Sequence, residues 1–471
     1  MTLLQLAVLT AVAAVLGAIR GEKWRLWGLF LFSMVMLFWL QPATPLRYAD
    51  FWLPTMMIFI VILSWLTTQQ AAPFDAQENV HALIMVGGFL LLISLSRWTG
   101  LGVYLTATRP PGLNTILVAL VAASLTFALV LVIRSGRWIN VTLFLMLMGL
   151  FIILKTDVFV TFAARLARTW IGQSPALAAP ADLNWLGISY VTFRLMHTLR
   201  DQRAGRLPSM TLREYATYVL FFPAIVAGPI DRAERFLGDL RQPVSRDAQH
   251  FFEGGKRLMV GMFKKYILAA ILGVFALRAD LLPGISSAMW IWVLVYAYAF
   301  QLFLDFSGYT DVAVGLGLLA GVRLPENFNQ PYRKSNLTAF WNSWHITLAQ
   351  WFRAYFFNPL TRALRRRRSV PTWAIILIGQ AGTMVLIGLW HGVTWNFLIW
   401  GAWHALGLFF HNRWVDLTRR FPGRLDAFLS TRFNTWLGVA LTFHFVSLGW
   451  LWFALPSPAL AWTTLLRMMG W

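Results

Sequence analysis

LTAFWNSWHITLAQWFRAYFFNPL, residues 337–360, and GLWHGVTWNFLIWGAWHAL, residues 388–406, decide how this chain is read. Between them lie Arg362, Arg365, Arg366, Arg367 and Arg368, then an apolar run. The two stretches set His345 and His391 among tryptophan, phenylalanine and leucine, a composition suited to a membrane interior. Burying an imidazole there costs free energy unless its nitrogens find partners, so each histidine is a functional candidate by default. Histidine also titrates near neutrality, which suits it to take a proton from an acceptor hydroxyl. A structural histidine, bonded to a neighbouring helix or reaching to the interface, is the competing reading, and spacing alone leaves it open.

The surrounding sequence has the same texture. Of 471 residues, 58% are hydrophobic and 13% charged, with a mean hydropathy of +0.61, which excludes an ordinary set of soluble domains. Long apolar runs recur between short charged loops, each near the roughly 20 residues a spanning helix needs. The expected fold class is an all-α polytopic integral membrane protein with about a dozen transmembrane or re-entrant helices. The net charge of +21 does not indicate nucleic acid, because lysine and arginine fall in clusters between apolar runs, as the positive-inside rule predicts. Cysteine is absent, which excludes disulfides, thiolate metal sites and a cysteine nucleophile. No metal-ligand spacing occurs, and no metal site is expected.

Candidate helices cover 3–19, 26–41, 51–66, 81–96, 113–133 and 138–154. The first reads as a retained helix with its N-terminus outside, since Arg20, Lys23 and Arg25 follow it. The 67–80 loop has no lysine or arginine, while Arg97 and Arg109 flank the next connection, so orientation there is ambiguous. Residues 1–154 carry no chemical motif and read as scaffold. At Lys155 and Asp157 the texture changes, and a Pro/Ala-rich connection follows at 172–182. His197, between Arg194 and Arg200, reads as interfacial. Pro223, Gly228 and Pro229 should break a helix at membrane depth, which is tolerated where the freed backbone packs on protein or lines a cavity.

Asp305 and Asp311 interrupt an apolar stretch. Six residues apart they cannot share one face of a straight helix, but a break at Ser307-Gly308 would turn both toward a common cavity. Ion pairs with Lys264 or Lys265 are the alternative. Gly317 and Gly321 have the spacing of a helix-packing pair. Trp341, His345, Leu348 and Phe352 repeat at helical spacing, which predicts an amphipathic re-entrant or interfacial helix with His345 on its apolar face. The arginines after it fit cytoplasmic topology, anionic lipid, donor phosphates or an acidic carrier. His391 is expected deep inside an apolar segment, with Gly388 and Gly392 letting another helix come close. His404, His411 and His444 read as structural or interfacial, in a tail that also holds Arg413, Arg419, Arg420, Arg424 and a last helix at 436–455.

Several long motifs occur in consistent order: GISYVTFR at 187–194, LFFPAIVAGPIDR at 220–232, DFSGYTDVAVGLGLLAGVRLPENFNQPY at 305–332, FWNSWHITLAQWFRAY at 340–355 and the 388–406 stretch. Together they resemble the bacterial branch of the membrane-bound O-acyltransferase family, which includes alginate O-acetylation and, more distantly, teichoic acid D-alanylation proteins. The likeness covers roughly 185–411 of the chain, a signal far above one short pattern. It implies one membrane-embedded domain: scaffold helices at 1–154, a catalytic core at 185–411 around a central funnel, and a C-terminal helix and tail at 412–471.

The resemblance implies that an acyl group, acetyl first, passes from a cytoplasmic thioester to an acceptor outside the membrane. The family's principal histidine, in its WHG motif, falls on His391 of Trp390-His391-Gly392; its second falls on His345 of Trp344-His345-Ile346-Thr347. His391 is then a general base, and Trp341, Trp390, Trp395 and Asn396 are candidate substrate contacts or oxyanion donors, with Asp305 and Asp311 beside them. No cofactor is expected to stay bound; acetyl-CoA, or an acyl carrier protein, is the co-substrate. The expected partners are that donor, a polysaccharide acceptor, a separate extracytoplasmic acetyltransferase and the lipid bilayer of the bacterial inner membrane, with no nucleic acid.

Relatives have basic residues where this chain has Asn342 and Ser343, RDY where it has Arg353-Ala354-Tyr355, and a glycine-containing loop where it has NPLTRALRRRR; helices at 81–133 look inserted. These departures bear on the donor more than on the chemistry. A protein or lipid acceptor is an alternative. A transporter would also have a dozen helices and broken segments, but the inverted repeats expected of one are not visible.

Overall fold

The computed structural model describes residues 2–68, 76–133, 137–244, 248–367, 369–420 and 431–471; Arg368, Arg424 and residues 69–75 of the expected 67–80 loop lie outside them. The described elements are helices joined by short turns, with an isolated bridge between Phe328 and Trp344. Among the described residues seven helices are long and apolar enough to cross a membrane: Ala49–Thr68, Gln77–Thr99, Leu113–Val132, Trp138–Lys155, Ala288–Leu319, Thr372–His391 and Arg432–Ala454. The other helices are shorter or carry more polar side chains. The chain packs as two compact units, Met1–Leu258 with Ala313–Leu324, and Met259–Val312 with Pro325–Trp471.

In the first unit, the six N-terminal helices span Leu3–Ala18, Glu22–Trp39, Ala49–Thr68, Ala76–Thr99, Leu113–Ile133 and Arg137–Lys155, close to the apolar runs that predict them. Arg25 does not remain at a charged flank. It is buried, and its guanidinium donates to the carbonyls of Leu240 at 2.8 Å and Gln242 at 3.2 Å. Arg168 clasps Asp182 through two hydrogen bonds of 2.5 and 2.7 Å, fixing the 172–182 connection. The guanidinium holds that carboxyl below the usual carboxylate range.

The break at Pro223 is present. A helix opened by the Thr211/Glu214 capping box ends at Leu220, one turn covers Phe222–Ala224, and helix resumes at Ala233. Arg194 closes this break by donating to Val219 O at 2.9 Å, a carbonyl that Pro223 leaves without a helical donor, and to Ala224 O at 3.1 Å, which also accepts from Gly228 N at 3.2 Å. His197 is fully buried rather than interfacial, with Nε2 2.7 Å from the Tyr218 hydroxyl. Gly317 and Gly321 serve a helix end instead of a helix pair. Gly321 adopts φ +85, and bonds from Val322 N to Gly317 O and from Gly321 N to Leu318 O close a Schellman motif.

Helix Ala288–Leu319, whose residues up to Val312 belong to the second unit, is unbroken at Ser307 and Gly308. The expected break is therefore absent, and Asp305 and Asp311 are not brought to one cavity. A π-turn at Phe263–Leu268 presents consecutive lysines to that helix, pairing Lys264 with Asp311 at 2.6 Å and Lys265 with Asp305 at 2.5 Å. Close approach permits this: a Cβ on Gly308 would lie 2.8 Å from Gly261 O. A helix at Pro458–Met468, with Ser457 capping Leu460 N at 3.2 Å, follows the last apolar helix and was not expected from the sequence.

Candidate active site

Two helix breaks in the second unit build the site. The first is at His345. Instead of one helix through Trp341, His345 and Phe352, there are two short ones, Leu337–Trp341 and Ile346–Phe352, with His345 between them at φ 43, ψ 53. A left-handed histidine carries strain of about 1–3 kcal/mol that the surroundings must hold in place, a condition that clusters at functional sites. What holds it is the preceding segment. Asn329 N donates to Ser343 O and Ile346 N to Asn327 O, so residues 327–329 pair antiparallel with 343–346 around the turn.

His345 is buried, and its ring meets Phe306 edge-on at 4.8 Å between centroids and Trp390 at 5.9 Å. Nδ1 lies 3.2 Å from Asn327 Oδ1, while Nε2 is buried with no hydrogen-bond partner among the described residues.

The second break is at Gly392. Helix Thr372–His391 ends on the histidine, and Trp395–Thr418 begins with Thr394 as its cap. His391 is accordingly half-buried at a helix terminus, not deep inside a span, because the apolar run that suggested depth is two helices rather than one. Gly388 serves the packing expected of it: a Cβ there would lie 2.2 Å from Phe397 O, and one on Gly401 2.7 Å from Met384 O, so the two backbones touch.

Rings connect the breaks. Trp390 meets His391 at 4.5 Å, His391 meets Phe453 at 4.8 Å and Trp400 at 5.7 Å, and Trp400 meets His404 at 4.9 Å. His404 is completely buried, also touches Trp341 at 5.0 Å, and neither of its nitrogens has a partner among the described residues. Buried polar atoms without partners are uncommon in native folds. Here Trp341 Nε1, Trp400 Nε1 and Gln380 Oε1 share that condition.

Trp341 and Gln380 also line a cavity of about 190 Å³, with Thr338, Asn342, Arg353 and Met384 among its other walls. Arg353 reaches Asn342 Oδ1 at 2.5 Å, and Asn342 is a position where the sequence departs from the family pattern.

The structure thus brings together His345, Trp390, His391 and Trp341. Trp395 is 71% exposed. Asn396 is buried, with one amide hydrogen donated to Leu455 O at 2.5 Å and Oδ1 without a partner among the described residues. His444 is bonded to Tyr296 at 2.7 Å through Nδ1 and stacks on Trp292. Arg362, Arg365, Arg366 and Arg367 are exposed. Asn327 and Gln380 escaped sequence reading because neither spacing nor charge distinguishes them; only the fold carries Asn327 to His345 and Gln380 to the cavity beside Trp341.

The sequence profile of the membrane-bound O-acyltransferase (MBOAT) family matches residues 136–450. Among similar proteins, a teichoic acid D-alanyltransferase of Streptococcus thermophilus is 34% identical over 291 residues, spanning 58% of this chain and 68% of its own. A probable alginate O-acetylase AlgI of Azotobacter vinelandii is 36% identical over 281 residues, 59% of this chain and 52% of its own. A peptidoglycan O-acetyltransferase of Helicobacter pylori is 33% identical over 260 residues, spanning 55% and 46%. The chain belongs to the membrane-bound O-acyltransferase family. It is a multi-pass membrane protein and an O-acyltransferase.

Proposed function

We propose that this protein transfers an acyl group, acetyl first, from a cytoplasmic thioester for O-acylation of an extracellular polysaccharide. The observation that carries the reading is the ring-linked pair of histidines at two helix breaks, one strained and buried, the other at a helix terminus. His391, as a neutral imidazole, takes the proton of the acceptor hydroxyl while that oxygen bonds to the thioester carbonyl carbon. The tetrahedral intermediate then expels the thiolate, breaking the C–S bond, and the imidazolium returns the proton to sulfur. Trp341 Nε1 and Trp400 Nε1, buried without partners among the described residues, are the donors available to a developing oxyanion.

On the donor side, the cavity beside Trp341 combines apolar walls with Arg353 and Gln380, which suits an arm bearing amides and ending in a phosphate, as in acyl-CoA or an acyl carrier protein. Relatives named for alginate and peptidoglycan O-acetylation support a glycan acceptor, and those named for teichoic acid make D-alanyl the competing acyl group. A separate extracytoplasmic transferase that completes the delivery fits this scheme, as does a bacterial inner membrane.

The test is labelled acetyl incorporation into extracellular polysaccharide by cells carrying the wild-type chain, His391→Ala or His345→Ala at matched membrane levels. Loss in His391→Ala is expected. Normal incorporation in both variants would overturn the mechanism, and D-alanyl incorporation in place of acetyl would change the donor.

A further inference from the structure

Asn327 is fully buried, and one of its atoms does three jobs. Oδ1 lies 3.1 Å from Thr347 N, 2.9 Å from Thr347 Oγ1 and 3.2 Å from His345 Nδ1. A backbone N–H only donates, so the atom facing Thr347 N must be the amide oxygen, and the orientation of the amide follows without ambiguity. Nδ2 of the same amide has no partner among the described residues, in keeping with that orientation.

An amide oxygen only accepts. His345 Nδ1 must therefore carry its proton to make the contact, and a neutral imidazole protonated there holds its lone pair on Nε2. Nε2 is the buried nitrogen with no partner among the described residues. The left-handed backbone of His345 and the antiparallel pairing of 327–329 with 343–346 hold the ring and the amide in register.

We infer that Asn327 is a positioning residue that fixes His345 as the Nδ1–H tautomer, so that Nε2 accepts a hydrogen bond from a donor group on the substrate, a hydroxyl or an amide N–H. This rests on the acyl-transfer reading for its kinetic consequence, but the tautomer itself does not. Leucine at 327 fills similar space without an acceptor, releasing the ring to its other tautomer, whose Nε2–H cannot accept. Aspartate keeps the acceptor.

The experiment uses the full chain in lipid nanodiscs with ¹⁵N-labelled histidine, the His345 signals being assigned by their disappearance in His345→Gln. The wild-type protein is expected to show Nδ1 protonated and Nε2 unprotonated at neutral pH, and Asn327→Leu to lose that preference. In transfer assays, Asn327→Leu should lower kcat about a hundredfold with little change in donor KM, and Asn327→Asp should restore most of it. An Nε2–H tautomer in the wild-type protein overturns the inference whether or not any variant folds. So does a tautomer and kcat unchanged in Asn327→Leu. Loss of the acyl-transfer reading would instead leave the wild-type tautomer as described while no acyl donor is turned over.

Discussion

The chain breaks its helices in both units, and the two kinds of break end differently. At 221–232 in the first unit three carbonyls are met by side chains, Val219 O and Ala224 O by Arg194 and Asp231 O by Tyr218 at 2.8 Å, with the Thr217 hydroxyl a nearby buried group that has no partner among the described residues. Around His345 and Gly392 in the second unit, polar atoms are buried without partners among the described residues: His345 Nε2, Trp341 Nε1, Trp400 Nε1 and both nitrogens of His404. A closed break is architecture, since its polar groups are consumed by the fold. An open one keeps hydrogen-bonding capacity for a ligand, at a cost of about 1–3 kcal/mol per unmade bond.

The largest effect that separates the two belongs to the open breaks. His391→Ala should reduce transfer by roughly a hundredfold or more while the protein remains folded, read as acyl incorporation alongside a thermal unfolding midpoint in detergent. Arg194→Met should do the reverse. It leaves Val219 O without a donor and Ala224 O with Gly228 N alone, at a cost of about 1–3 kcal/mol, so the midpoint falls while turnover per folded molecule is retained. If Arg194→Met abolished turnover in folded protein, the first break would also belong to the site.

How much of this contrast the sequence carries depends on the property asked about. Apolar run length fixed the N-terminal helices to within a few residues, and Pro223 announced its own break, because both act through local backbone physics. The break at His345 is invisible to the same reasoning: Trp341, His345, Leu348 and Phe352 keep helical spacing, and the left-handed turn is imposed by pairing with 327–329. Depth misled at His391 because Gly392, Val393 and Thr394 look like the interior of one apolar run, whereas Thr394 caps a new helix. His197 was misplaced because flanking arginines suggested an interface, yet Arg194 turns inward to carbonyls. Burial of a charged side chain depends on partners distant in sequence.

A smaller effect should come from Gly388→Ala. Its Cβ would press on Phe397 O, so the two helices flanking the Gly392 break must separate. A cost of about 1–3 kcal/mol is expected, with a partial loss of transfer that follows the displacement of His391. Unchanged midpoint and turnover would mean that the close approach is not needed to set the break.

The smallest effect sharpens the comparison from inside the second unit, where not every ionisable group belongs to the chemistry. Asp311 lies in the unbroken helix Ala288–Leu319 with Lys264 Nζ 2.6 Å away, and the lysine side chain is 30% exposed. The carboxylate is buried, but asparagine keeps an amide oxygen for the partly exposed lysine, so Asp311→Asn should cost only about 1 kcal/mol and leave kcat near wild type. Asp305, whose side chain is 51% exposed, should respond still less. If Asp311→Asn instead abolished transfer in stably folded protein, the carboxylate would have a chemical role despite its straight helix. An ion pair in an intact helix would then have to be counted with the open breaks, and helix continuity would no longer separate scaffold from site.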